Sequence, residues 1–151
     1  MGRRLSSVQF VEQVKWSAIL FRDIIDMSKE IITFNRQFQI WSYIVGHSQL
    51  LLRSTKSPDH PTRVDIFFKN VKSIQLPTTI DDFSIVESDV ESVQALSVNL
   101  NDADLRNRRV FLVHGVNCTG YVVAGFMDCR EDEGEYNSPS PFEESWKFTV
   151  K

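Results

Sequence analysis

Glycine and proline are scarce in this chain, six and five residues among 151. That excludes collagen-like and low-complexity architectures, which depend on those two residues. The glycines also stand singly, so no glycine-rich loop is available to cradle a phosphate. Cysteine is scarcer still: two residues are too few for a disulfide framework. With Cys118 in an expected turn and Cys129 at the end of the strand leaving it, about 25 Å would separate them, against a bridging limit of roughly 7 Å. Two free thiols are expected, which fits a reducing cytoplasm.

Long apolar runs are missing too. The most apolar stretch, residues 18–25, is broken by Arg22 and Asp23 and is too short to span a bilayer. Gln9, Glu12, Gln13 and Lys15 interrupt what a secretory signal would keep apolar. The expectation is a cytoplasmic chain without membrane contact. Asn117-Cys118-Thr119 matches a glycosylation acceptor and is then simply a turn.

Catalytic and metal motifs fail on spacing. Gly46-His47-Ser48-Gln49-Leu50 begins like a nucleophile elbow but lacks its last glycine and a following helix. There is no C-x-x-C, H-E-x-x-H or H-x-H among the two cysteines and three histidines. Glu131-Asp132-Glu133-Gly134-Glu135 has the charge of a calcium loop, but its acids are adjacent rather than alternate. Asp23 and Asp65 are the carboxylates inside apolar runs, and Arg63 on the same strand face as Asp65 suggests a surface ion pair. No catalytic residue, metal ligand or cofactor is assigned, and the reading leans away from an enzyme.

What the chain does have is phenylalanine, 11 residues, and a divided charge. Residues 1–77 carry 11 bases and 6 acids, and residues 78–151 carry 6 and 14. A half at −8 repels phosphate, and the bases of the other half are scattered rather than clustered with aromatics. Nucleic acid is therefore not an expected partner. A basic protein surface is.

The expected architecture is mainly β, α+β at the margin. It is an antiparallel barrel or sandwich of about eight to ten short strands with an N-terminal helix, in one domain over 1–151. Ser6 with Gln9 reads as a capping box, and Val11, Val14, Ala18, Phe21 and Ile25 give one helix face over 6–27. The alternative for 19–34 is strand. An antiparallel core is expected over 30–129, including strands at 31–34, 38–45, 49–53, 63–68, 71–76, 83–86, 93–100, 109–116 and 121–129. An acidic flexible loop over 130–142 and a closing strand over 145–150 follow. Helices do not alternate with the strands, which argues against a parallel nucleotide-binding sheet.

Six residues stand out as candidate binding residues. Trp41, Tyr43, His47 and Arg53 fall on one expected hairpin around Gly46-His47, in which Trp41 faces Leu52 and Tyr43 faces Leu50. His60 lies in the next loop and His114 in a later strand. The leading functional expectation is a non-enzymatic module presenting an acidic surface to a protein partner, as an inhibitor or neutralising protein needs. The alternative is a small-molecule or small enzymatic β scaffold with a His/Arg pocket. A homo-oligomer built on apolar strand edges is the third option.

Overall fold

A computed structural model of the chain describes residues 29–88 and 101–143. The alternating apolar runs become eight antiparallel strands in one sheet. They are β1 (Lys29–Ile44), β2 (Gln49–Ser54), β3 (Arg63–Lys69), β4 (Ser73–Gln75), β5 (Thr79–Ser88), β6 (Arg109–Gly115), β7 (Thr119–Ala124) and β8 (Phe126–Asp132). Their order in the sheet is β4-β7-β6-β5-β1-β2-β3-β8. One turn of helix, α1 (Asp102–Leu105), has a capping box in which Asn101 and Asp104 bond reciprocally. Among the described residues no helix is long and apolar enough to cross a membrane. The expected helix over 6–27 and the strands over 93–100 and 145–150 lie outside the described residues.

β1 replaces two expected strands with one of 16 residues. Register shifts at Glu30/Ile32, Phe34/Gln37 and Ile40/Ser42 let it bend without leaving the sheet. Phe34 and Phe38 lie on one side, where their rings meet at 4.8 Å and both reach Phe83. The last shift corrects the expected hairpin. Tyr43 does pair with Leu50, but Leu52 faces Ile40, and Trp41 is the extra residue of the bulge. The turn is not the two-residue Gly46-His47 type. It is a 3-10 turn at Val45–His47 closed by Ser48 in the left-handed region.

The core lies on one face of the sheet, filled at period two. Leu50 and Leu52 of β2, Val64, Ile66 and Phe68 of β3, Phe83 and Ile85 of β5, and Phe111 and Val113 of β6 all belong to it. The strand expected over 121–129 is two strands, broken at Gly125. There the chain turns so that the Gly125 N–H donates to the Lys69 carbonyl (2.9 Å) and Lys72 N–H donates to Val123 (2.8 Å). β8 then runs past Arg130, where the sequence suggests it should leave the sheet. It persists because β3 offers complementary neighbours: Arg130 opposes Asp65, and Asp132 opposes Arg63.

Cys118 and Cys129 are free thiols that pack against this core. Burial, then Asp81, raises the Cys118 thiol pKa. Burial, then Asp128, Glu131 and Asp65, pushes Cys129 up to about 11. Thiolate is the reactive form, so at pH 8 Cys118 should label several-fold faster. Mass-resolved kinetics with a maleimide measure this, and Cys129 reacting first would contradict the packing.

Candidate functional site

β2, β3 and β8 are covered on their outer face as well. Arg53 of β2 and Arg63 and Asp65 of β3 point away from the main core, yet they are only 2%, 1% and 1% exposed. The expected surface pair between Arg63 and Asp65 is therefore wrong on both counts. The residues are buried, and each takes a partner across the sheet instead of along its own strand.

Arg53 and Asp65 are directly opposed in the β2–β3 register. Arg53 Nε donates to Asp65 Oδ1 at 2.7 Å and Nη2 to Oδ2 at 2.9 Å, a two-pronged ion pair. Ser140 Oγ donates a third bond to Oδ2 at 2.6 Å. Arg63 makes the same fork on Asp132 of β8, at 2.9 and 2.6 Å. That bonding raises the Arg63 pKa and holds the Asp132 carboxyl below its usual range. The Gly134 N–H adds to the lowering by donating to Asp132 Oδ1.

The remaining donors of both arginines hold backbone. Arg63 reaches the carbonyls of Glu135 (3.2 Å), Ser138 (2.7 Å) and Pro139 (2.9 Å). Arg53 reaches those of Tyr136 (3.2 Å) and Ser138 (3.4 Å). Residues 133–143 thus form a strap bound over the sheet by two guanidinium groups that share the Ser138 carbonyl. Phe142 is its apolar anchor, stacked on Phe67 at 5.0 Å in a small second core with Leu51 and Trp41. Gly134 passes directly over the Arg63 guanidinium, where a Cβ would collide with it.

The six candidate residues are divided among several places. Trp41 and Arg53 come together: the guanidinium lies 4.7 Å from the Trp41 ring centroid, and Tyr136 meets that ring edge-on at 5.0 Å. Both line a cavity of about 350 Å³ whose other wall is strap residues 137–140 and Glu143. Tyr43 is exposed on β1. His47 lines a different cavity at the β1–β2 turn, and His114 lines a third near Phe34 and Phe83. His60 lines none of these and closes a small turn with Ser57. Among the described residues no group of three or more His, Cys, Asp or Glu could hold a metal ion.

Sequence reasoning picked out Asp65 and Arg53 but not their pairing, and missed Arg63, Asp132, Tyr136, Ser140 and Phe142 as one unit. The available signal was a charged pair alternating with Val64, Ile66 and Phe68, which implies burial on both faces once a cover exists. The cover lies 72 to 85 residues further along the chain.

On the outside of the strap the charge is acidic. Glu133 and Glu135 are exposed, Glu135 with 79% of its side chain; Glu131 of β8 is exposed too, but it opposes Val64 and so lies on the core face of the sheet. Thr62 donates to Glu131, and Lys56 sits 2.9 Å from Glu135 in a half-open ion pair of small energetic weight. Comparison with protein-family models, curated proteins and solved structures finds no match to this chain.

Proposed function

We propose that the protein is a non-enzymatic binding module whose strap presents an acidic surface to a basic segment of a partner protein. One observation carries this reading. The two arginines beneath the strap are turned inward and neutralised by Asp65 and Asp132, while Glu133 and Glu135 stay at the surface. Two positive charges are thus taken out of the face, and the bases left at its edge are Arg130, over the Phe142 ring, and Lys56, paired with Glu135. Such a face steers a cationic partner and holds it less tightly as salt rises.

The test is binding of a lysine- and arginine-rich peptide, followed by fluorescence anisotropy from about 50 to about 300 mM salt. Changing Glu133 and Glu135 together to Gln should weaken binding by about tenfold at the lower salt. Changing the exposed Asp82 and Asp102 to Asn should leave it within about twofold. Equal losses in the two variants would show that only net charge matters, and the proposal would fall.

For the scaffold beneath, closure into a barrel is the reading the chain path favours over a sandwich. β4 and β8 end the strand order, yet β3 leads into β4 through three residues and β7 into β8 through Gly125 alone.

A further inference from the structure

At the other end of β8 from the acidic strap lies a cavity of about 490 Å³, between the β1–β2 turn and the start of β8. Its volume falls within the about 300–1,000 Å³ common to small-molecule pockets. Gln49 lines it, is 4% exposed, and its Oε1 is the buried side-chain atom without a hydrogen-bond partner among the described residues. Removing an acceptor from water without supplying a donor is unfavourable. Oε1 is itself closed off from the cavity, so a ligand carrying O–H or N–H groups would supply one once the Gln49 amide turns toward it.

The walls are shaped by unusual backbone. Four non-glycine residues among those described have positive φ, and three of them, Ser48 (50°), Asn70 (55°) and Asn107 (58°), line this cavity. Asparagine tolerates that region; serine does so less readily, and such positions concentrate at binding sites. Asn70 is also held in place. Arg108 Nη2 donates to its Oδ1 at 2.9 Å and Nε to its carbonyl at 3.1 Å. Gly125 lets these walls approach: a Cβ there would stand 3.0 Å from Asn70 Nδ2 and 3.2 Å from the Asn107 carbonyl.

We infer that this cavity is a binding site for a polyhydroxylated ligand of monosaccharide size. Each sugar hydroxyl both donates and accepts, and so does each of the amides of Gln49, Asn70 and Asn107. The side chain of Phe126 stands 45% exposed on the cavity wall, an apolar surface for the C–H face of a sugar ring. Lys69 and His47 line the cavity too, so an anion is the competing ligand and inorganic phosphate is the control for it. The site is independent of the acidic strap.

The experiment uses the full chain and 1H–15N spectra, titrated separately with glucose, galactose, mannose, ribose and inorganic phosphate. At least one sugar should shift the amides of Ser48, Asn70, Asn107 and Phe126 saturably. Gln49→Met should weaken that binding by about tenfold or more while leaving Tm unchanged or higher, because it removes an unpaired buried oxygen. Phe126→Ser, at an exposed position, should weaken binding as well and guards against a folding failure of the first variant. No saturable shift with any of the four sugars, shifts with phosphate alone, or undiminished binding in the folded variants would each overturn the assignment.

Discussion

Asp65→Ala is expected to remove about 3–5 kcal/mol of stability, because it strands the guanidinium of Arg53 in a dry interior. Arg53 is 2% exposed, so water cannot replace the two carboxylate bonds it would lose. Ser140 would lose its acceptor in the same step, loosening the strap just before its Phe142 anchor. For a chain of this size the corresponding drop in Tm is on the order of 10 °C. Urea unfolding measures it. The double change Arg53→Met with Asp65→Leu should cost less than Asp65→Ala alone, since no uncompensated charge is left. It should not be neutral, because the Tyr136 carbonyl loses the donor that Arg53 supplies. A loss below about 1 kcal/mol for Asp65→Ala would place the pair in water and end this account of it.

The second large effect is expected at Arg63. Arg63→Ala removes the fork on Asp132 and the donors to the carbonyls of Glu135, Ser138 and Pro139. The strap should then open locally far more often than in the native chain. Cleavage by a glutamate-specific protease at Glu133 or Glu135 should rise by about tenfold or more. Arg63→Lys should recover little, because a single ammonium cannot reproduce a planar fork that meets a carboxylate and three carbonyls together. Gly134→Ala should act like a weaker Arg63 variant, since its methyl would displace the guanidinium. Acid should do the same reversibly. The Asp132 carboxyl titrates below its usual range, mainly through Arg63. Its contribution is therefore fully present above the unfolded value of about 4 and is lost as pH falls through the lower folded value. Arg63→Ala should lack that acid-dependent loosening. Unchanged cleavage in Arg63→Ala would mean that Phe142, Arg53 and Ser140 hold the strap without Arg63.

Apolar runs between turns made most strands legible, with period-two alternation clear at 63–68. The runs at 49–53, 63–68 and 109–116 correspond closely to β2, β3 and β6, because a strand's faces are written in neighbouring residues. Breaks were harder to read. Nothing local to Asn35 and Arg36 says that a bulge will absorb them into a single long β1, and Gly125 alone does not say that one apolar run is two strands. The acidic run after Cys129 misled for a related reason. Read alone, adjacent acids should leave a sheet, but Asp132 has Arg63 opposite it and Glu131 has Thr62 as a donor. Cross-strand partners so far apart in sequence leave no pattern for a single-chain reading to find. The candidate site was half visible for the same reason. Trp41 and Arg53 share one hairpin and were found together. The strap that completes their surroundings carries only Gly134, two Ser-Pro steps and a run of acids, a composition that reads as solvated loop until two buried arginines are known to lie beneath it.

That strap is the centre of the account, and native-state hydrogen exchange tests it most directly. The amides of Gly134, Glu135, Ser138 and Glu143 donate to Asp132, Ser138, Glu135 and Ser140 respectively. In the intact chain at neutral pH these amides should exchange at least about a hundredfold more slowly than unstructured peptide, and Arg63→Ala should abolish the protection. Exchange of all four at the unstructured rate in the native protein would contradict a bound strap and, with it, a fixed acidic surface.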